Sequence, residues 1–313
     1  MHLNFDVLLH DETCRRRISD RLARLARQAM VAEAELTPKP GLVDRRGPGA
    51  HHDLSLELIR RSASVLEPYF SAMALISVGR AVDQSLRDEL ALIGRDAELA
   101  MYTATLGSNA HKGAIWILGL LVAAAAQESG SAQEITMAAG AIARSPHRAQ
   151  PAVLTHGEIV KILYGVAGAR GEACNNFLHI VRFGLPTLRQ RRAAGFSEQV
   201  SRLDALFNIM AQLDDTCVLY RGGMEALNAV KSGACDILSA GGSSTDCGRK
   251  RMRMLDDELA ARNVSPGGSA DLLAATIFLD AVERHLVEVC TDHSALLDED
   301  EYESELEEIH GAA

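Results

Sequence analysis

The feature that most constrains the fold of this chain is an apolar run from Ala114 to Ala126. The run is long and smooth enough for a buried helix, around which other elements must pack. It follows a turn, Gly107-Ser108-Asn109, and the pair His111-Lys112. The pattern therefore predicts a central helix with Lys112 at or just before its N-terminus.

A lysine in that position is unusual, since the free N–H groups and the dipole of a helix N-terminus favour negative charge. An anion held between Lys112, His111 and the N–H groups would resolve the conflict, as phosphates do at helix N-termini. A solvated lysine beside an Asn109 cap remains an equal alternative. The stretch is not a Walker A loop, because it lacks a second glycine before the lysine and the Ser or Thr after it.

The composition favours a helical core. Of 313 residues, 47% are hydrophobic but only 4% are aromatic, a balance that suits closely packed helices better than sheets. No strand alternation of useful length appears, so we predict one compact all-α domain with its functional loops clustered at one end. The formal net charge of −10 argues against a nucleic-acid binder but leaves room for an anionic small ligand.

The expected location is the cytoplasm, without membrane contact. The six cysteines are scattered without CxxC spacing, which argues against zinc and suits free thiols in a reducing compartment. The first residues carry their charges after a short apolar patch, the wrong order for a secretory signal. No apolar run reaches the roughly 18 residues that a membrane helix needs.

Helical spacing predicts the other elements and the domain limits. A single catalytic domain is expected over residues 1–296, followed by a mobile acidic tail over 297–313. The predicted helices run from about 18 to 36 and then at 54–66, 68–80, 86–100, 114–126, 132–144, 156–166, 196–213 and 272–287.

Polar loops with glycine or proline separate these helices, at 37–53, 107–113, 168–172, 214–223 and 263–271. In the first loop, two prolines predict a stiff, extended segment that displays Lys39 and Asp44. Its length and rigidity favour a site over a disordered tip. Asp53 is expected to cap the helix that follows.

Two adjacent carboxylates, Asp214 and Asp215, follow a predicted helix C-terminus, where the dipole and their mutual repulsion disfavour them. A bound cation would relieve both effects, and two carboxylates with open water positions suit Mg²⁺ better than zinc. On this reasoning Asp215→Asn leaves the apo protein as stable as before, or slightly more so. A solvated acidic helix end is the alternative.

Two later loops are more ambiguous. Arg170 and Glu172 could contact a ligand or simply pair with each other. Ser269 is a plausible N-cap, and Asp271 in the first helical turn is explained by the dipole alone. The paired glycines before Ser269 are explained less well by capping, since they indicate close approach of the backbone to something.

The same five loops resemble the triphosphoribosyl-dephospho-CoA synthase family, from about residue 33 to residue 279. The matching motifs, in order, are TPKPGLVD with AHHD downstream, GSNAHKGAI, GARGEA, LDDTCVLYRGG and SPGGSADLLAAT. The resemblance implies an all-α transferase with MgATP and 3′-dephospho-CoA as substrates. Adenine would leave, and a triphosphoribosyl group would join the acceptor 2′-hydroxyl.

The product would be the prosthetic-group precursor that a carrier-protein transferase passes to an acyl carrier subunit. The wording DRRGPGAHHDL and LDDTCVL is closer to the malonate decarboxylase branch than to the citrate lyase branch. Three departures from the family pattern stand out: Ala110 replaces a usual Thr, Tyr220 replaces a common His before Arg-Gly-Gly, and residues 173–177 lack Gly-Phe-Pro.

Loss of adenine passes through a cation-like sugar, which calls for carboxylates, a proton donor and a triphosphate clamp. A phosphoryl-transfer enzyme using MgATP and a non-catalytic nucleotide-binding protein remain alternatives. Glu33 and Glu172 are both candidates for the base. The candidate residues are Glu33, Glu172 and Asp215 for catalysis, Asp214 and Asp215 for Mg²⁺, and, for substrate or phosphate, Lys39, Asp44, His51, Asp53, Asn109, His111, Lys112, Arg170, Arg221, Ser265 and Ser269.

Overall fold

The computed structural model describes residues 12–127, 130–146 and 155–284. Within those ranges the chain is helical and contains no strand, which confirms the all-α prediction. The predicted boundary at 296 and the acidic tail lie outside the described residues. The helices are α1 Glu12–Glu35, α2 Leu56–Ser77, α3 Gln84–Ala104, α4 Lys112–Ala125, α5 Ala132–Arg144, α6 His156–Tyr164, α7 Gly168–Cys174, α8 Leu185–Ala193 (after a π-turn at Ile180–Gly184), α9 Glu198–Gln212, α10 Thr216–Ser239, α11 Asp246–Ala261 and α12, residues 267–284.

Helix α4 is the centre of the first half of the molecule, as predicted. It contacts α1, α2, α3, α5 and α7. Leu118, midway along it, is 0% exposed, and most of its other side chains are buried too. The apolar run therefore forms a buried helix, and Lys112 is the first residue of that helix, at the edge of the core.

The helices predicted at 54–66 and 68–80 are one helix, α2. Pro68 lies inside it, although proline removes a hydrogen bond and crowds the preceding turn. Leu66 and Phe70 on either side are buried in the core. Their packing against neighbouring helices outweighs the local cost of the proline. The helix boundary predicted at Pro68 is therefore wrong.

The segment 214–223 is not the loop that the glycines suggested. Helix α9 ends at Gln212, and α10 begins at Thr216. Arg221 therefore lies inside α10, which bends at Gly223, where φ is 64°. Likewise, the expected corner at 168–172 is part of the short helix α7.

One cluster of buried apolar side chains runs from Leu22 in α1 to Val282 in α12. The first and last described helices therefore share a single core. None of the helices within the described ranges is both long enough and apolar enough to span a membrane.

Candidate active site

Asp215 is a buried cap that joins two helix N-termini. It precedes α10, and its Oδ1 accepts hydrogen bonds from the N–H groups of Cys217 (2.9 Å), Val218 (3.4 Å) and Gly268 (3.3 Å). Its Oδ2 accepts from the N–H (2.8 Å) and the Oγ–H (2.9 Å) of Ser269. Asp215 does follow the end of α9, but it caps the N-terminus of α10, where the dipole favours it, so the expected conflict with a helix C-terminus is wrong.

Asp214, its neighbour, turns away. It is half exposed and pairs with Lys231 of α10, with 2.7 Å between Oδ1 and Nζ. The two carboxylates thus do not converge on one cation. In the part of the chain that the structure describes, no group of three or more His, Cys, Asp and Glu side chains is arranged to hold a metal ion.

The start of α12 packs tightly on Asp215. A Cβ atom added at Gly268 would lie 2.9 Å from Asp215 Oδ1, which explains why a glycine is needed there. Ser269 is not the expected N-cap, since it lies inside the helix and binds Asp215 instead. Ser265 is also buried, and its hydroxyl has no partner among the described residues.

Asp271, one turn into α12, reaches the start of α4. A Cβ atom added at Gly113 would lie 2.0 Å from Asp271 Oδ2. No described residue donates a hydrogen bond to this carboxylate, and burial followed by the charges of Glu33 and Asp215 raises its pKa well above the usual range. From the sequence, Asp271 is fully explained as part of a helix cap. Its place beside the start of α4 follows only from the tight fit against Gly113.

Lys39 and Glu33 form a buried ion pair. Lys39 is 1% exposed, and its Nζ donates to Glu33 Oε1 (2.5 Å) and to the Glu33 carbonyl (2.6 Å). The expectation that a loop displays Lys39 is therefore wrong. Burial raises the pKa of Glu33, and Lys39 partly offsets this. Glu33 Oε2 has no hydrogen-bond partner among the described residues, so one oxygen of the pair stays open.

Asp44 organises the loop between α1 and α2 rather than being displayed by it. It is 2% exposed and accepts hydrogen bonds from the N–H groups of Lys39 (2.8 Å) and Arg46 (2.7 Å). The Arg46 guanidinium binds Asp44 and also Asp256 of α11, at 2.7 Å. These contacts hold the loop against the second half of the molecule and thereby place Lys39 under Glu33.

The turn before α4 places Asn109 as expected, and its two cationic candidates, His111 and Lys112, lie in different environments. Asn109 Oδ1 accepts the N–H of Lys112 at 3.1 Å, and Lys112 Nζ pairs with Glu98 of α3 at 2.8 Å. His111 is buried, with its Nδ1 2.7 Å from Ser62 Oγ. Burial and then the charge of Lys39 lower the pKa of His111 to about 4, so it is neutral at pH 7. Lys112 remains the residue of this turn that an anion could reach.

Arg170 and Glu172 do not pair with each other. Glu172 accepts the His179 N–H at 2.8 Å, and its other oxygen lies 2.7 Å from His179 Nδ1. Burial opposes a charged His179, yet the hydrogen bond and charge of Glu172 raise its pKa. Both oxygens of Glu172 are therefore occupied, while Arg170 is exposed.

A second cluster lies where the first loop meets α10. Arg221 Nη2 is 3.3 Å from His51 Nδ1, and burial followed by the charge of Arg221 lowers the pKa of His51 to about 4. Asp53 is exposed, 3.7 Å from His51, and does not cap α2; Ser55 does, accepting the Leu58 N–H at 3.2 Å.

Tyr220, one of the three departures from the family pattern, is stacked on another aromatic ring. Its ring centroid lies 3.8 Å from that of His156, at the start of α6. The pKa of Glu158, on the same turn of α6, is lowered first by its hydrogen bonds with Thr155 and, to a smaller extent, by the charges of Arg170 and Lys112. The stack therefore stands near the cationic side of the site.

These contacts define an acidic centre, Glu33, Asp215 and Asp271, next to cationic Lys112 at the N-terminus of α4. Two of its members, Glu33 and Asp271, keep oxygens without described partners. Carboxylates with raised pKa values beside cations can exchange protons and stabilise a developing positive charge, while the cations bind anions.

Comparison with known proteins gives one family. The family model described as CitG, ATP:dephospho-CoA triphosphoribosyl transferase, matches residues 19–289. A probable 2-(5″-triphosphoribosyl)-3′-dephosphocoenzyme-A synthase of Stutzerimonas stutzeri is 52% identical over 270 residues, covering 84% of this chain and 91% of the relative. The 2-(5″-triphosphoribosyl)-3′-dephosphocoenzyme-A synthase of Klebsiella pneumoniae is 49% identical over 263 residues, covering 83% and 94%. No solved structure matches the chain.

Proposed function

Because the chain belongs to the ATP:dephospho-CoA triphosphoribosyl transferase family, we propose that it transfers the triphosphoribosyl group of ATP to the 2′-hydroxyl of 3′-dephospho-CoA. Adenine leaves, and 2′-(5″-triphosphoribosyl)-3′-dephospho-CoA forms. The observation that carries the proposal is the acidic centre beside Lys112: it combines carboxylates for a cation-like sugar with a cation for the triphosphate.

Glu33 is the better candidate for the base that takes the proton of the acceptor hydroxyl. Its Oε2 has no partner among the described residues, and burial raises its pKa toward the working range of a general base. Glu172, the other candidate, has both oxygens bound to His179. Lys39 then acts through Glu33, by holding its Oε1, and does not itself clamp the phosphates.

The triphosphate of ATP is assigned to Lys112, with Mg²⁺ entering as part of the ATP substrate. Mg²⁺ commonly binds through one or two protein carboxylates together with substrate phosphates, and when bound it neutralises phosphate charge. The lone pairs of Asp215 are taken by five hydrogen bonds, and Asp214 faces Lys231. Asp271, with no described partner, fits such a role better than the pair first expected to hold the metal.

The proton donor for adenine is assigned to the side of the site that carries Tyr220. Tyr220 and His156 form a stacked pair there, and both are exposed. Either group can donate a proton to a leaving base.

The product is assigned to the acyl carrier subunit of a malonate decarboxylase, through a carrier-protein transferase. The support is the wording of two loops, DRRGPGAHHDL and LDDTCVL. A cytoplasmic location is consistent with the free cysteines of the described residues. Citrate lyase is the competing pathway, and transfer assays with each carrier subunit would separate the two.

The test of the activity is incubation with MgATP and 3′-dephospho-CoA, followed by chromatography of the nucleotides. Free adenine and a CoA product heavier by a triphosphoribosyl group are the expected result. ADP in place of adenine would make the protein a phosphoryl-transfer enzyme. ATP binding without turnover would make it a nucleotide-binding protein.

The triphosphate assignment is tested by Lys112→Ala. We expect a roughly ten- to thousandfold lower kcat/KM for ATP, because the contact strengthens as charge develops in the transition state. Stability should change little, since the pair with Glu98 is partly exposed. Lys250→Ala, on the exposed face of α11, is the matched control. If Lys112→Ala has the kinetics of the wild type, Lys112 is a solvated surface residue and does not bind the triphosphate.

A further inference from the structure

Arg87, near the start of α3, is a buried cation without a counter-ion in the described part of the chain. It is 6% exposed. Its Nε is a buried atom with no hydrogen-bond partner, and none of the described carboxylates pairs with its guanidinium. An unpaired buried charge opposes folding, so a residue of this kind needs a compensating partner.

The Arg87 guanidinium is held in place by Trp116 of α4. Its Cζ lies 4.7 Å from the centroid of the indole ring, and the indole N–H donates to the Ala169 carbonyl of α7 at 3.2 Å. The stack on the indole orients the planar fork of Arg87, and the hydrogen bond to Ala169 fixes the ring. Three helices therefore cooperate to position one guanidinium.

The charged groups that act on Arg87 include two further arginines. Burial, and after it the charge of Arg170, which follows Ala169 on α7, lowers the pKa of Arg87. Asp88 and Cys174 oppose this effect, and Arg95 of α3 adds to it. Among the described residues Arg170 makes no ion pair; after the hydrogen bonds of Thr155, its charge and that of Lys112 contribute to the lowered pKa of Glu158. Arg87 thus lies over Trp116 and Arg170 follows the residue that binds the Trp116 N–H, so both arginines meet at α4, the helix that Lys112 begins.

We propose that Arg87 and Arg170 form a second anion site, backed by Trp116, that binds a phosphoanhydride group of a nucleotide substrate. Paired guanidinium groups match phosphate oxygens through two parallel N–H bonds, and a bound anion would supply the missing counter-charge. The inference rests on the proposed function, which offers two sources for this group: the pyrophosphate of 3′-dephospho-CoA and the triphosphate of ATP.

Trp116 is the only tryptophan of the chain, so its fluorescence reports on the surroundings of one indole, and the Arg170→Gln comparison separates this site from an anion bound at Lys112. The protein is titrated separately with inorganic pyrophosphate, ATP and 3′-dephospho-CoA while the emission is followed. We expect a saturable change, and an apparent affinity about tenfold lower or worse in Arg170→Gln, since a charge-assisted pair is lost. Arg87→Lys, which keeps the charge but loses the fork, should also bind more weakly. Arg253→Gln on α11 is the control.

Arg170 is exposed, so Arg170→Gln should fold even if a change at buried Arg87 does not. Weaker binding of only 3′-dephospho-CoA in that variant would assign the site to the acceptor, and weaker binding of only ATP would assign it to the donor. Wild-type binding of all three probes by Arg170→Gln would overturn the site. The two proposals can also fail separately. If the Trp116 emission changes with the anions only when Arg170 is present, but the protein releases no adenine, the anion site stands and the proposed reaction is rejected.

Discussion

At the scale of single residues, Asp215 couples two helices through one carboxylate. Asp215→Asn replaces one acceptor oxygen with an NH₂ group, which leaves at least one buried N–H of α10 or α12 without an acceptor. It also removes a negative charge from two helix N-termini. We therefore expect the variant to be less stable by about 1–3 kcal/mol in urea unfolding, contrary to the expectation from sequence.

Asp214→Asn is the matched control, since its exposed pair with Lys231 should contribute about 0–1 kcal/mol. Adenine release should be lost in Asp215→Asn and kept in Asp214→Asn. If Asp214→Asn instead loses activity at limiting Mg²⁺, the metal is bound by Asp214 and Asp215, as the sequence first predicted.

His111 makes stability depend on pH. Its pKa falls from 6.5 to about 4 on folding, so between those values the unfolded chain binds more protons than the folded one. The free energy of unfolding should therefore fall as pH drops from 6.5 toward 4, by up to about 3 kcal/mol from this group.

The carboxylates Glu33, Asp215 and Asp271, whose pKa values are raised mainly by loss of hydration, act in the opposite direction. Comparison with His111→Asn, which keeps a polar partner for Ser62, isolates the histidine. Urea unfolding at pH 7, 5.5 and 4.5 should show the wild type losing more stability than the variant. Parallel curves for the two proteins would mean that His111 titrates normally.

At the scale of elements, α4 carries both the core and the site. Leu118→Asp buries an unpaired carboxylate in the middle of this helix and should cost about 4 kcal/mol or more, enough to prevent folding. Leu99→Asp is the control, because Leu99 on α3 is 68% exposed and the change should stay within about 0.5 kcal/mol. Thermal melting of both variants tests whether α4 is part of the core. If Leu118→Asp melts at the same temperature as the wild type, α4 is not a core helix.

At the scale of the whole molecule, one core links α1 to α12. Because the buried apolar cluster is continuous from Leu22 to Val282, the chain should unfold in a single transition. Saturating MgATP should raise the midpoint, since a ligand bound only by the folded state stabilises it by mass action. Calorimetry checks both expectations, and two resolved transitions would indicate two independent units.

The sequence by itself determined what depends on local pattern: the all-α class, the buried central helix, Lys112 at its N-terminus and the family. Apolar periodicity, caps and motif wording are properties of neighbouring residues, so they can be read along the chain. The paired glycines also correctly predicted a close approach, which Gly268 makes to Asp215.

Only the tertiary structure decided which charges meet. Lys39 lies buried against Glu33, Asp271 reaches Gly113, and Arg87 stacks on Trp116 without a counter-ion among the described residues. The physical reason is that burial and pairing depend on groups far apart in the chain. Desolvation then changes what each group does: the same lysine or carboxylate is a solvated surface charge or a site residue according to what packs on it.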